Sequence, residues 1–338
     1  MNLMPVTTDH RKISIAPMMD WTDRHCRYFM RSLSPGCMLY TEMITAAAIV
    51  RGDAVKLLRY DESEHPIALQ LGGNDPAMMT RAARRAEEFA YDEININIGC
   101  PSDRVISGQF GACLMRTPAI VAACFRSMRD AVDVPVTIKN RIGIDDHDSY
   151  EFLENFVETL SAAGCSKFVV HARIAILGGM SPKDNRSVPP LDYERVFRLK
   201  REHPELEIVL NGGVQDIEQI DELLQQLDGV MIGRQAYQHP YFLVEIEHYL
   251  RPEWQMPDRH AIVAQMIPYI EEQLAQGERL HRITRHMLGL FAGQPGARAW
   301  RRYLSENDHQ DGAGVEVVLA ALEAMPVAVQ AAIARTAR

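Results

Sequence analysis

Residues 134–171 read VPVTIKNRIGIDDHDSYEFLENFVETLSAAGCSKFVVH and contain the repeating unit that decides the fold. The runs Val134–Lys139 and Lys167–His171 are short and rich in β-branched residues, which is typical of buried strands. Between them, Tyr150–Ala163 has a helical pattern that ends at Gly164, a common helix terminator. The order strand, helix, strand predicts two parallel strands joined by a right-handed crossover.

The same alternation runs through most of the chain. Helix starts are indicated by Asp75-Pro76, Thr117-Pro118 and Asp216, where a capping residue precedes a proline or an apolar run. Eight strand–helix units over about 230 residues predict an α/β fold, a (β/α)8 TIM barrel. The alternative is an open doubly wound sheet, although no G-x-G-x-x-G motif follows the first strand. The six further predicted strands are Ile13–Met18, Cys37–Thr41, Ile67–Leu71, Glu93–Asn97, Glu207–Asn211 and Gly229–Ile232.

The alternation stops in the stretch Arg251–Arg259, which contains two prolines and predicts a linker. Beyond it, apolar residues recur at helical spacing, and Pro326 is expected to open a last helix. The sequence therefore predicts a barrel domain over residues 1–250 and an all-helical domain over residues 251–338. The helical faces are Ile262, Met266, Ile270 and Leu274, and Val315, Val318, Leu319 and Leu322.

Composition sets the class of protein. The 338 residues are 47% hydrophobic and 24% charged, as in soluble globular proteins. No apolar run approaches the ~18 residues of a membrane span. The charged stretch Asp9–Lys12 stands where a signal peptide needs an apolar core, so we expect a cytoplasmic protein without membrane contact. Six cysteines without a C-x-x-C pair favour a reducing compartment and no metal site.

Two glycine-containing turns follow the last two predicted strands. Asn211-Gly212-Gly213 and Gly233-Arg234 stand where barrels of this type commonly bind phosphate. Glycines let backbone N–H groups approach an anion, and the arginine adds a bidentate charge. The alternative interpretation is a pair of tight turns without a ligand.

Gln70 and Lys139 lie on predicted strands three and five. A lysine that leaves an apolar strand requires an anionic partner or a shifted pKa. Gln70 offers a donor and an acceptor to an amide-like ring edge. With the phosphate turns, these residues fit flavin mononucleotide (FMN), although Gln70 is equally compatible with a buried amide bonded to the backbone.

Cys100 follows strand four in a Gly-Cys-Pro turn and opens a loop of roughly twenty residues, in which Gly108 and Gly111 are candidate hinges. A thiol with an ordinary pKa near ~8.5 is mostly protonated at neutral pH and is suited to a general acid. The alternative is an inert buried cysteine, as we expect for most of the other five.

Although the net charge is −9, arginines dominate residues 277–302 and include Arg298, Arg301 and Arg302. Arg279, Arg282 and Arg285 are spaced as one helical stripe. Such a cluster favours contacts with RNA phosphates, and the alternative is a solvated helix face. Lys183 and Arg186 follow strand six, in a loop expected to contact RNA or to have only a local structural role.

Together these motifs resemble the tRNA-dihydrouridine synthases over about Ile13–Tyr241. The resemblance rests on Ile15–Met19 with Thr22-Asp23, Asn97–Pro101, Lys139, His171–Arg173, Asn211–Gly213 and Gly233-Arg234. Asp20–Arg24 and the loop Gly178–Pro190 resemble the A-type subfamily.

The resemblance implies an enzyme that uses FMN and NADPH to reduce the C5–C6 bond of uridines 20 and 20a in the tRNA D-loop. It implies that Cys100 is the proton donor and that Asn97 positions the target base. It also makes NADPH an alternative partner of the loop that carries Lys183 and Arg186. It assigns FMN contacts to Pro17, Met18, Met19, Gln70, Lys139, His171, Asn211, Gly212, Gly213, Gly233 and Arg234.

Two other functions stay open at this point. A flavoenzyme acting on a free pyrimidine, of the dihydropyrimidine or dihydroorotate type, has the same barrel, but it needs no basic helical domain. A non-catalytic RNA-binding protein needs no flavin. We expect tRNA as the partner and a monomer as the oligomeric state.

Overall fold

The computed structural model describes residues 12–325. The predictions for Asp9–Arg11 and for a helix at Pro326 fall outside these residues. Among the helices described, none is both long enough and apolar enough to cross a membrane.

The described residues form nine strands that all pair in parallel. Residues at every second position of a strand point to the same side, so each strand has an inner and an outer face. The strands are β1 (Ile13–Ile15), β2 (Leu39–Tyr40), β3 (Ile44–Thr45), β4 (Ile67–Gly72), β5 (Glu93–Ile98), β6 (Val136–Arg141), β7 (Lys167–His171), β8 (Glu207–Asn211) and β9 (Gly229–Ile232).

These strands close into a barrel of eight positions. The order is β1-β9-β8-β7-β6-β5-β4-β2, and β3 continues the position of β2 because it also pairs with β4. The circle closes where Met38, next to β2, bridges to Ser14 on β1 and donates its N–H to the Ile13 carbonyl at 2.9 Å. The predicted (β/α)8 barrel is therefore confirmed, and the open sheet is wrong.

Helices α1 to α9 lie between the strands of the barrel along the chain. Asp75 caps α4 and Asp216 caps α9, as the sequence predicts, whereas Thr117 precedes α6 without a side-chain capping bond. The helices are α1 (Arg24–Leu33), α2 (Ala46–Arg51), α3 (Ala54–Leu58), α4 (Pro76–Glu87), α5 (Asp103–Ser107), α6 (Pro118–Arg129), α7 (Tyr150–Ser161), α8 (Tyr193–Glu202) and α9 (Ile217–Leu224).

Several predicted boundaries differ from the structure. Strand β6 begins at Val136 because Pro135 has no N–H to donate, and it extends to Arg141. Strand β1 ends at Ile15, and the chain beyond it turns at Met18, whose carbonyl accepts the N–H groups of Trp21 and Thr22.

The chain separates into two compact units. One comprises residues up to Arg24 together with Gly36–Gly233, and the other comprises His25–Pro35 and the chain from Arg234 onward. The predicted domain boundary at residue 250 stays a prediction. The second unit is helical and contains α10 (Arg234–Gln238), α11 (Phe242–Leu250), α12 (Arg259–Ala275), α13 (His281–Thr284), α14 (Ala297–Asn307) and α15 (Val315–Glu323).

The helical unit has a core of its own. Trp300 is fully buried, donates its indole N–H to the Met287 carbonyl at 3.2 Å and packs on Phe291 with ring centroids 5.0 Å apart. Ile262, Met266 and Ile270 are buried as predicted. The predicted apolar face of α15 is wrong in part, because Leu319 is 47% exposed while Val318 and Ala321 are buried.

Candidate active site

Polar side chains occupy part of the barrel interior. On β5, Glu93, Asn95 and Asn97 alternate with outward isoleucines and are all buried. The Tyr40 hydroxyl on β2 donates to Glu93 at 2.6 Å across the intervening strand β4, a contact that passes through the interior. The amide of Gln70 on β4 accepts from Asn97 Nδ2 at 2.7 Å. Gln70 is therefore a buried amide whose side chain bonds to the side chains of Asn95 and Asn97, and the alternative of bonds to the backbone is wrong.

Lys139 on β6 crosses the interior toward β8. Its Nζ donates to Asn211 Oδ1 at 2.9 Å, and Asn211 in turn donates to the Met231 carbonyl at 2.8 Å. Burial lowers the pKa of Lys139 to about 7, an effect that Arg141 strengthens and Cys100 opposes. Within residues 12–325 no carboxylate forms an ion pair with this ammonium, so the site favours an added anion.

The turn that carries Cys100 is fixed by Asn97. Asn97 Oδ1 accepts the backbone N–H groups of Gly99 at 3.1 Å and of Cys100 at 3.0 Å. The Cys100 side chain is partly exposed, and its Sγ lies 3.4 Å from Ser102 Oγ. Because a short polar side chain binds the turn directly, the thiol stands at a defined position at the end of β5.

The segment after Cys100 is more ordered than a long loop. It contains α5 and a 3-10 helix at Gly111–Arg116, so the predicted loop of about twenty residues is wrong. Gly111 has a φ of +72°, and a Cβ there would lie 2.8 Å from the Cys100 carbonyl oxygen. This position requires glycine and keeps the segment in contact with the cysteine turn. Cys113 in the same segment is also partly exposed, unlike the four buried cysteines.

Arg141 at the end of β6 also braces this turn. Its Nε donates to the Gly99 carbonyl at 2.9 Å, and Nη1 donates to the Ile174 carbonyl at 2.9 Å. Burial lowers the pKa of Arg141 to about 10, while Cys100 opposes this and Arg186 and Arg173 add to it. Arg141 is a site residue that was not predicted, although its spacing of two from Lys139 places both side chains on the inner face of one strand.

The turn after β8 requires glycine for two reasons. Gly212 has a φ of +117°, and a Cβ there would lie 2.7 Å from Cδ2 of the buried His171. Gly213 has a φ of +76°, and a Cβ there would lie 2.4 Å from Leu191. The Tyr193 hydroxyl donates to the Gly212 carbonyl at 2.6 Å. The predicted turn is therefore rigid and presents its backbone without a side chain.

The remaining predicted FMN contacts follow the first and last strands, β1 and β9. A Cβ on Gly233 would lie 3.7 Å from Ala16 Cβ and 3.8 Å from Met18 Sδ. Pro17 and Met18 are partly buried, whereas Met19 is 49% exposed. Arg234 is exposed and begins α10.

The basic candidates occupy two regions. Lys183 and Arg186 are exposed and bound a short 3-10 helix whose Asn185 is fully buried. Arg298, Arg301 and Arg302 are exposed on α14, without a carboxylate partner among residues 12–325. The predicted stripe of Arg279, Arg282 and Arg285 is wrong as a helix, because α13 spans only His281–Thr284.

Comparison with known proteins identifies relatives over almost the whole chain. The profile of the Dihydrouridine synthase (Dus) family matches residues 14–330. A protein of Shewanella oneidensis named tRNA-dihydrouridine(20/20a) synthase is 55% identical over 316 residues, 93% of this chain and 94% of that protein. A protein of the same name from Escherichia coli K12 is 54% identical over 325 residues, 95% of this chain and 94% of that protein.

A solved structure shares the barrel at low sequence identity. The complex of 2-naphthoyl-CoA reductase with 2-naphthoyl-CoA has a TM-score of 0.53 and 11% identity, covering 72% of this chain and 50% of that chain. At this identity the likeness supports the fold alone. The family profile and the relatives of more than 50% identity, which cover nearly the full chain, show that this protein belongs to the dihydrouridine synthase family.

Proposed function

We propose that this protein reduces the C5–C6 bond of uridines 20 and 20a in tRNA to give 5,6-dihydrouridine. The observation that carries the proposal is the 54–55% identity, over nearly the full chain, to proteins named tRNA-dihydrouridine(20/20a) synthase. The grouping of Cys100, Asn97, Gln70 and Lys139 around one end of the barrel supports it.

The residues at this end of the barrel fit FMN. The turn at Gly212 and Gly213 offers backbone without a Cβ, as a phosphate requires, and Lys139 lacks an anionic partner among the described residues. We assign the flavin ring to Gln70, Lys139 and His171, and the phosphate to the two glycine turns. The other proposed FMN contacts are Pro17, Met18, Met19, Asn211, Gly233 and Arg234.

When bound, FMN supplies the hydride for C6 of uracil after reduction by NADPH. Hydride addition at C6 leaves negative charge on C5 and on the C4 carbonyl. Cys100 Sγ then gives its proton to C5, which completes the reduced ring and leaves a thiolate. Cys100 lies within electrostatic range of Lys139 and Arg141, and it raises the pKa of both side chains against the effect of burial. Water returns the proton to the thiolate afterwards.

Asn97 has a second role in the proposal, since we assign it to the target base. Reduction requires the uridine to leave its stack, at a cost of a few kcal/mol that is smallest in a loop. We assign the phosphates of the tRNA to Arg298, Arg301 and Arg302 on α14, and those near the target to Lys183 and Arg186. All five side chains are exposed. We further propose that the protein is a monomer, which light scattering of the purified protein tests. We also propose that it acts in the cytoplasm.

The direct test is a map of dihydrouridine in tRNA from cells that lack this protein, by mass spectrometry of nuclease fragments. We expect loss of dihydrouridine at positions 20 and 20a, and its return when the gene is restored on a plasmid. An unchanged map contradicts the proposal. Reduction of free uracil by the purified protein, at a rate equal to that with tRNA, supports the free-pyrimidine alternative instead.

A further inference from the structure

A chain of buried hydrogen bonds leads from one end of β5 to the other. Thr137 Oγ1 lies 2.7 Å from Glu93 Oε1, and Asn95 Nδ2 lies 2.9 Å from Thr137 Oγ1. Gln70 Nε2 lies 2.8 Å from Asn95 Oδ1, and Asn97 Nδ2 lies 2.7 Å from Gln70 Oε1. All five side chains are at most 8% exposed, so water does not compete for these bonds.

Glu93 determines which group donates and which accepts in each of these hydrogen bonds. Glu93 pairs with the Lys167 ammonium through Oε2 and accepts through Oε1, so Thr137 donates to it and must itself accept from Asn95 Nδ2. Asn95 Oδ1 is then left to accept from Gln70 Nε2, and Gln70 Oε1 is left to accept from Asn97. Each amide therefore has one allowed orientation, which ends with Asn97 Oδ1 facing the Cys100 turn.

Three donors hold Glu93 in its role as an acceptor. Besides Thr137, the Tyr40 hydroxyl lies 2.6 Å from Oε1 and the Lys167 ammonium lies 3.1 Å from Oε2. Burial and then Glu93 raise the pKa of Tyr40 well above its ordinary value, so this hydroxyl keeps its proton. Burial acts to lower the pKa of Lys167, but Glu93 and Glu207 outweigh it and raise that pKa.

At the Asn97 end of this series of hydrogen bonds, the neighbouring groups require the same amide orientations. Gly99 and Cys100 present backbone N–H groups, which only donate, and both point at Asn97 Oδ1. If the Asn97 amide were reversed, its NH2 group would face these two donors and leave them without an acceptor. An acceptor-only group at one end and donor-only groups at the other thus fix every member between them.

We infer that Glu93, Thr137 and Asn95 are positioning residues that set the amide orientation of Gln70 and Asn97, and thereby hold the turn of Cys100. The catalytic meaning of this inference rests on the proposed function, because there Gln70 meets the flavin and Asn97 the target base. The orientation itself does not depend on it.

The test uses the full-length protein without flavin or tRNA, labelled with 15N only at its six cysteines. Six backbone amide signals are expected, and Cys100→Ser identifies the Cys100 signal by its loss. Thr137→Val removes the hydroxyl at nearly constant shape, whereas Thr137→Ser keeps it. In Thr137→Val we expect the Cys100 amide to exchange with solvent roughly tenfold faster, as for the loss of one hydrogen bond.

The other five cysteine amides serve as internal controls, since a general loss of stability accelerates them too. Thr137→Ser is expected to keep the slow exchange of wild type. If Thr137→Val does not fold, Asn95→Leu breaks the chain one link nearer to Asn97 at similar side-chain size. Unchanged exchange of the Cys100 amide in either folded variant overturns the inference. Because neither flavin nor tRNA is present, failure of the proposed function leaves this result unaffected.

Discussion

The two halves of the barrel interior differ in chemistry although they belong to one sheet. The polar half consists of Gln70, Asn95, Asn97, Thr137 and Lys139, on strands β4 to β6. The apolar half is centred on Ala16, Val169, Val209 and Met231, on or next to β1 and β7 to β9, and its buried cluster extends to Met38, Tyr40 and Ala68. Its buried polar side chains His171 and Asn211 stand at the carboxyl ends of β7 and β8. Polar groups in a barrel interior are costly unless each is hydrogen-bonded, and here the amides and Thr137 bond to one another.

This difference indicates that the two halves of the barrel interior have different roles. The polar half fixes orientations, because its hydrogen bonds extend to the turn of Cys100. The apolar half supplies stability, and its strands end in the glycine turns at Gly212 and Gly233. Substitutions in the polar half are therefore expected to change the reaction or the pH dependence of stability. Substitutions in the interior of the apolar half are expected to lower the free energy of unfolding without slowing the reaction, and those in its glycine turns are expected to weaken FMN binding.

The largest effect is expected for Cys100→Ala at the end of the polar half. Loss of a general acid typically slows a reaction ~10²–10⁴-fold, so reduction of tRNA by the pre-reduced flavoprotein is expected to slow by that factor. Reduction of the flavin by NADPH is expected to be unchanged. Cys113→Ala is the matched control, since Cys113 is also partly exposed in the neighbouring segment. Equal loss of both half-reactions in Cys100→Ala contradicts the role as proton donor.

The second effect concerns the charge of Lys139. Its folded pKa of about 7 lies below the ordinary 10.5, so between these values the unfolded chain holds a proton that the folded chain releases. The free energy of unfolding of the flavin-free protein must then rise with pH in this window, and the full penalty remains below pH 7. Lys139→Met removes the titrating group.

Urea unfolding of wild type and Lys139→Met at several pH values measures this effect. The difference between the two proteins is expected to change by up to about 3 kcal/mol from about pH 7 to about pH 9.5, in favour of wild type at the higher pH. If the difference in the free energy of unfolding between the two proteins does not depend on pH, folding does not lower the pKa of Lys139.

Gly212→Ala tests the carboxyl end of the apolar half. The added Cβ meets the His171 ring and the residue keeps a positive φ, at a cost of about 2 kcal/mol, so FMN is expected to bind about thirtyfold more weakly. The matched control is Gly178→Ala, because a Cβ at Gly178 meets nothing within 4 Å. Equal FMN affinity of the two variants, measured by fluorescence titration, removes this turn from the proposed site.

Val209→Ala tests the interior of the apolar half. Val209 is 4% exposed, and removal of two buried methyl groups is expected to lower the free energy of unfolding by about 1.6 kcal/mol. Denaturant unfolding measures this loss. The rate of tRNA reduction at a temperature where the protein stays folded is expected to equal that of wild type. A slowed reaction in the folded variant means that the two halves do not divide their roles as described.

The smallest effect is expected outside the barrel strands, for the triple substitution of Arg298, Arg301 and Arg302 by Ala. The slope of log affinity for tRNA against log salt is expected to decrease in magnitude by about 2 to 3, at about 1 per phosphate contact. Arg81, Arg84 and Arg126, exposed on α4 and α6, provide a control triple with the same change in charge. If both triple substitutions weaken tRNA binding equally, the arginines of α14 do not contact the tRNA phosphates as proposed.

The sequence was sufficient for the fold because most strands and helices of the barrel have a local signature, although the short strand β3 at Ile44–Thr45 was not predicted. The strands Lys167–His171, Glu207–Asn211 and Gly229–Ile232 have the predicted bounds, since each is a short apolar run ended by a polar residue or glycine. The ends of the strands were harder to predict. Where β6 begins next to Pro135, and where the chain turns at Met18 after β1, depends on hydrogen bonds to neighbouring parts of the chain.

The candidate site could be predicted only in part. Cys100, Lys139 and Gly212 stand at strand ends, where position alone suggests function. Glu93, Asn95 and Thr137 lie within strands, and their importance depends on partners on other strands that a single sequence does not show. The one available signal was the alternation of polar residues and isoleucine over Glu93–Ile98, which in a barrel places a polar group inward at every second position.

We propose that a flavin and Cys100 together reduce a tRNA uridine at one end of the barrel. Anaerobic mixing of the purified, NADPH-reduced protein with unmodified tRNA tests this proposal. We predict that the absorbance of oxidised flavin returns as dihydrouridine forms at positions 20 and 20a, one per flavin oxidised. A protein that binds no FMN, or one whose flavin is reoxidised without formation of dihydrouridine, contradicts the account.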